Sequence, residues 1–272
     1  ILNSKIYTFA VGPNKKTFSI HGEALAGLSK PLDTLLNGPH QEAQELHVNW
    51  PEVDEEIFVR FIEWAYAKTY VTEDPTIFLD HSDIPSFDGV VKVQSTTPVA
   101  FYGQVCGVCG SALSDCPYCS LVMREAGPSP RARLIARFLD SNGDHYPASV
   151  PAFVPRQNTE SCEDYSGVFM CHAKLYVVGD IYDIPELCQL SLHRLHATLS
   201  CFELFPGRCD DIAVVAKYLL ANTREDDKIR EMMALFYACQ AEHVCNNDTF
   251  RSLLAEEPDF AAQVFSYVVG RL

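Results

Sequence analysis

Two short runs, Phe9-Ala10-Val11-Gly12 and Phe18-Ser19-Ile20-His21, alternate their bulky apolar residues with a period of two. Gly12-Pro13-Asn14-Lys15-Lys16 joins them, and Gly-Pro-Asn is turn chemistry. Helical spacing follows at once, through Leu25, Leu28, Leu32, Leu35 and Leu36. The chain therefore opens as a β-hairpin feeding a helix. The leucines suit one or two short helices, broken near Lys30-Pro31 and stopped at Gly38-Pro39.

Leu46-His47-Val48-Asn49-Trp50 alternates again and predicts a third strand, ended by Pro51. From Asp54 to about Tyr66 the pattern is helical. Ile57, Phe58, Phe61, Ile62 and Ala65 form the apolar face, and Asp54, Glu55 and Glu56 favour the amino end. Residues 72–165 change character. Prolines, serines, threonines and aspartates surround short apolar runs, with a strand expected at Val90-Val91-Lys92-Val93 and a helix from Arg131 to Leu139. A stretch this long and irregular reads as a partly disordered insertion.

Regular patterning resumes at Cys171-His172-Ala173-Lys174-Leu175-Tyr176. Gly179 is expected to stop that helix, and Asp183 and Pro185 to start the next. One apolar stripe (Cys188, Leu192, Leu195, Leu199) marks the new helix. Four further helices are expected: one capped by Asp210, one from Asp226 to about Cys245, one from Asp248 to Leu254 and one from Pro258 to Val269.

Read together, the two halves resemble a BTB/POZ domain of the fungal type with a long central insertion. The residues that carry the resemblance are Phe9-x-Val11-Gly12, Phe18-x-Ile20-His21, Leu25, Ser29, Val53-Asp54-x-x-x-Phe58-x-x-Phe61 and Ala65-Tyr66. In the second half they are His172-Ala173-Lys174-Leu175-Tyr176, Gly179-Asp180 and Ile184-x-x-Leu187. The resemblance implies an α+β fold, a small β-sheet flanked by a helical cluster, built from residues 1–71 and 166–200. The insertion lies between them, and residues 201–272 form an α-helical extension. It implies no active site and no enzymatic activity. It implies a protein partner, self-association, or presentation of substrates to a cullin-type ubiquitin ligase. Cullin-binding members carry a hydrophobic-x-Glu signature after the second helix. Here Ala43-Gln44-Glu45 occupies that region. The dimer-forming amino-terminal strand of the family is not visible. Because the sequence begins at Ile1, it reads as an excerpt of a longer chain.

The sharpest local motif lies in the insertion. Cys106-Gly107-Val108-Cys109 and Cys116-Pro117-Tyr118-Cys119 are two Cys-x-x-C pairs. Four thiolates suit tetrahedral zinc, which here would be structural because no coordination position stays open for water. The spacer is short for a zinc ribbon, and a redox-active pair or idle thiols are the alternatives. Arg131, Arg133 and Arg137 share a helical pattern with Leu134, Ile135, Phe138 and Leu139. Such a helix either docks into a partner groove or packs on its own domain, and amphipathic helices more often pack internally.

No serine or cysteine nucleophile has a signature beside His21, so His21 and His172 read as structural hydrogen-bonding residues. His193 and His196 read as a surface pair on one helix. The acidic pairs Glu55/Glu56, Asp210/Asp211 and Asp226/Asp227 each fall where a helix begins, and capping explains them. The net charge of −15 disfavours nucleic acid and anionic membranes as partners. A zinc-containing transcriptional regulator, the remaining alternative, runs against that charge. No apolar run reaches the ~18 residues of a membrane span. Eleven cysteines, several in apolar helical surroundings, suggest a reducing cytoplasmic or nuclear setting with buried free thiols.

Overall fold

A computed structural model describes residues 3–78, 130–141 and 153–270. The strand expected at 90–93 lies outside them. The described residues form an α+β structure with small sheets and many helices, and they divide into two compact units. The first comprises the residues up to Glu73 together with Cys171–Leu192. The second takes in the described residues among 74–145, with Phe153–Met170 and the chain from His193 onward.

In the first unit, β1 (Ile6–Val11) and β2 (Lys16–His21) form the hairpin, in antiparallel register from Ile6↔His21 to Val11↔Lys16. Gly12 (φ 72°) and Lys15 (φ 52°) take left-handed conformations in its turn, so the Gly-Pro-Asn signal is the turn itself. β3 (His47–Trp50) pairs with β1 in parallel, with Phe9 opposite Val48, giving the order β2-β1-β3. A parallel neighbour needs a crossover. The helices α1 (Gly22–Ala26), α2 (Lys30–Asn37) and α3 (Gln41–Glu45) supply it.

The expected break at Lys30-Pro31 lies instead at residues 27–29. Ser29 caps α2, its Oγ accepting from the Leu32 amide at 3.4 Å, and Pro31 sits in the first turn, where a missing amide hydrogen costs nothing. The hydroxyl of Tyr7 donates to the carbonyl of Leu36, tying β1 to the end of α2.

One face of the sheet carries Tyr7, Phe9, Val11, Ile20, Val48 and Trp50, all buried. Against it lies α4 (Glu55–Ala67), which buries Ile57, Phe58, Phe61, Trp64 and Ala65. The rings interlock: Phe9 lies 5.4 Å from both Trp50 and Phe58, and Trp50 stacks on Tyr182 at 4.7 Å. Cys171, Leu175, Val178, Ile184, Leu187 and Leu190 complete the same core. The segment beyond the insertion therefore shares one hydrophobic cluster with the first seventy-odd residues.

Two expectations about that segment need correction. The helix α6 (Ser166–Ile181) runs through Gly179. A Cβ there would come within 2.7 Å of the Cys188 sulfur, so the glycine permits close helix packing rather than ending a helix. The stop is Asp183 (φ 53°), with the Ile184 amide returning to the Gly179 carbonyl at 2.8 Å. Pro185 then opens α7 (Pro185–Cys201) as expected. Beyond Leu192, α7 has no single stripe. Arg194, Leu195, His196, Thr198, Leu199 and Ser200 are all buried, so its second half is enclosed nearly all round.

The second unit contains β4 (Thr76–Ile77) paired with β5 (Glu163–Asp164), α5 (Pro130–Asp140), and the helices α8 (Cys209–Asn222), α9 (Lys228–Cys239), α10 (Ala241–Val244), α11 (Asp248–Glu256) and α12 (Pro258–Val269). Its centre is α9, buried without interruption from Met232 to Cys239. Tyr237 stacks on Phe250 at 4.5 Å and meets Phe260 edge-on at 6.0 Å. The helix expected from Asp226 to Cys245 is two helices, separated at Gln240. Asp227 caps α9 and Asn247 caps α11. Asp210 lies in the first turn of α8 and is not its cap. Among the described residues, no helix is long and apolar enough to cross a membrane.

Candidate interaction surface

Cys106, Cys109, Cys116 and Cys119 lie outside the described residues. Among the described residues, no three His, Cys, Asp or Glu side chains gather as a metal site would require. The histidines separate into different roles. The His21 ring nitrogen Nδ1 meets the Tyr66 hydroxyl at 2.8 Å, linking the end of β2 to α4. The His172 Nδ1 meets the Tyr70 hydroxyl at 2.8 Å in the interior. His193 and His196 are not a surface pair. His196 is buried, and its Nε2 bonds the Phe138 carbonyl at 2.7 Å. Burial lowers its pKa, and the carbonyl bond opposes part of that shift.

The outward side of the first unit is mostly polar. On the open face of the sheet stand Thr8, Thr17, Ser19, His47 and Asn49, as alternation requires. Ile6 breaks that pattern. It lies directly across from His21 and is 55 % exposed. His21 in turn holds Tyr66, and on α4 the positions 59, 62 and 66 share one helical face. Tyr66 (43 % exposed), Val59 (41 %) and half-buried Ile62 give that outer side of α4 its apolar surface. Ile6 and Tyr66 thus both neighbour His21. The chain leaving α4 is pinned to that helix. Arg60 donates to the Val71 carbonyl at 3.2 Å, and the Val71 amide donates to Glu63 at 3.0 Å.

The second unit holds a buried ionic cluster with no counterpart in the sequence reading. The Arg208 side chain is 2 % exposed, with Asp211 at 3.7 Å, Asp164 at 3.8 Å and the Phe78 ring at 5.2 Å. Asp211 accepts from the Tyr165 amide at 2.9 Å. It lies in the first turn of α8, as its acidic pair suggested, but it also anchors a distant segment. Burial pushes its carboxyl up to about 7, against the lowering effects of the Tyr165 bond and of Arg208. Next to it, Glu163 pairs with Arg156 and accepts from the amides of Thr159 and Glu160, closing that turn. Partners 46 residues apart leave no local pattern.

Comparison with protein-family models and with curated proteins gave no match.

Proposed function

We propose that the first unit is a protein–protein interaction module of BTB/POZ type, acting as a scaffold or oligomerisation domain without catalytic activity. The observation that carries this reading is the split core. A β2-β1-β3 sheet with a parallel third strand, helices crossing between β2 and β3, and α4 behind them share one cluster with a helix pair that enters about a hundred residues later. That order fits the family the sequence resembles. The exposed apolar side chains of Ile6 and, on α4, of Tyr66 and Val59 offer apolar contact area of the kind that interfaces use.

Sedimentation equilibrium of the full chain tests the reading. We expect a dimer or a larger species, returned to monomer by Val59→Asp combined with Ile6→Asp. A monomer at about 100 µM that also captures no protein partner contradicts it, since specific interfaces of useful strength hold at micromolar concentrations. Titration of the same preparation with a cullin amino-terminal domain tests the adaptor reading. Absence of saturable binding there leaves scaffolding as the function of the module.

A further inference from the structure

The crossover from β2 to β3 runs through a short helix that ends on an Asn-Gly pair. Asn37 is the last residue of α2, and the amide of Gly38 donates to the Thr34 carbonyl at 2.9 Å. Geometry demands the glycine, because a Cβ at position 38 would clash with that same carbonyl oxygen. The missing side chain also leaves the Gly38 nitrogen uncrowded toward the side-chain amide of its neighbour. Asn37 is exposed, and its Nδ2 donates to Asp33 Oδ1 at 2.9 Å. Asp33 and Thr34 are exposed as well, so the last turn has a solvent side. Among the described residues, no other asparagine precedes a glycine. Asn14, Asn222 and Asn246 are also exposed, but Lys15, Thr223 and Asn247 follow them, each with a Cβ beside its nitrogen.

We propose that Asn37 is a site of spontaneous deamidation in the folded chain, reached by fraying of the last turn of α2, and that its product loosens that helix end. In the closed turn the Gly38 amide is engaged by Thr34, so the reaction waits for that bond to open. An eight-residue helix spans barely two turns, and helix ends open locally at far lower cost than the whole fold. In the open turn the Gly38 nitrogen gives up its proton to hydroxide and attacks Cγ of Asn37. The Cγ–Nδ2 bond breaks, and Nδ2 takes a proton from water and leaves as ammonia. The resulting succinimide ring is opened by water at one of its two carbonyl–nitrogen bonds, giving aspartate or isoaspartate. Either product carries a new negative charge one turn from Asp33, at the carboxyl end of a helix whose last turn holds no basic residue. The donor bond from Asn37 to Asp33 is lost with it. The carbonyl of neighbouring Leu36 accepts from Tyr7, so the loosened end lies where α2 is tied to β1.

Incubating the full chain beside a synthetic peptide spanning Asp33–Glu42, in mildly alkaline and in mildly acidic buffer, tests this. Peptide mapping by mass spectrometry follows the amide-to-acid change at each asparagine, and enzymatic methylation counts isoaspartate. Asn142-Gly143 lies outside the described residues and is mapped on a separate peptide. We expect conversion at Asn37 to rise with time, faster in alkali, and to run ahead of Asn14, Asn222 and Asn246. Local fraying slows the folded chain by no more than about a hundredfold against the peptide, whereas a reaction that waits for global unfolding is slowed by about a thousandfold or more. Slowing beyond the fraying limit, or conversion of the other three asparagines at the rate of Asn37, overturns the proposal. Asn37→Asp reproduces the aspartate product at once. We expect it to lower the urea midpoint, and to lower it less in a chain that already carries Asp33→Asn. An unaltered midpoint in Asn37→Asp overturns the loosening of the helix end.

Discussion

Asp211 is a carboxyl held where its charged form is poorly solvated. Its folded value of about 7 stands above the ordinary 3.8. The folded state therefore binds the proton more tightly than the unfolded chain, and stability falls as pH rises from about 4 to about 7, then levels off. The slope amounts to a few kcal/mol on an order-of-magnitude basis. Asp211→Asn keeps an acceptor for the Tyr165 amide and carries no charge. Urea denaturation across pH 4–8 should lose this component of the slope in the variant, with stability at pH 8 equal to or above the parent's; an unchanged slope assigns it to other groups. Tyr70→Phe makes a second test, since it removes the 2.8 Å bond to His172 from the interior and is expected to cost about 1–3 kcal/mol by the same denaturation. The sequence placed Asp211 at a helix start correctly, because acidic first turns are a local signal. It was silent on Arg208 and Tyr165, because their convergence is set by tertiary packing.

Elements were legible where their periodicity was strong. The hairpin, β3, α4 and α12 lie where alternation or helical spacing places them, since each buries one face and exposes the other. The short α3 was missed because none of its residues is buried, so no apolar face marks it. Gly179 was misread because a glycine that ends a helix and one that admits a neighbour look alike in one dimension. The neighbour makes a prediction. Gly179→Ala places a methyl 2.7 Å from the Cys188 sulfur and 3.1 Å from its backbone nitrogen. Overpacking of this kind costs about 1–3 kcal/mol, seen as a lower denaturation midpoint. Adding Cys188→Ala should restore part of the loss, because the backbone contact remains. A fully neutral Gly179→Ala would mean that the two helices can separate freely.

At the scale of the whole molecule, the described cysteines separate by depth. Cys245 is exposed, while Cys171, Cys209 and Cys239 are buried. Burial also raises the Cys201 and Cys209 thiols to about 11 and about 12, keeping them protonated at neutral pH. Alkylation mapped by mass spectrometry should modify Cys245 early and the three buried thiols only in denaturant. Metal analysis of that preparation tests the double Cys-x-x-C motif. The zinc reading predicts one metal per chain, lost in Cys106→Ser with Cys109→Ser, and a metal-free protein leaves idle or redox-active thiols.

The bond between Tyr70 and His172 also says something about the path of the chain. Residues 102 positions apart touch, so the end of the first stretch of the first unit and the start of its helical return meet at one doorway. Closing a long loop costs only about 0.6 kcal/mol more for each doubling of its length, and the excursion between these residues is a modest entropic burden on the first unit. By the same geometry, a few flexible residues spliced between Glu73 and Cys171 would bridge the doorway, and two separately made fragments meeting there should complement one another to rebuild the sheet and its helices.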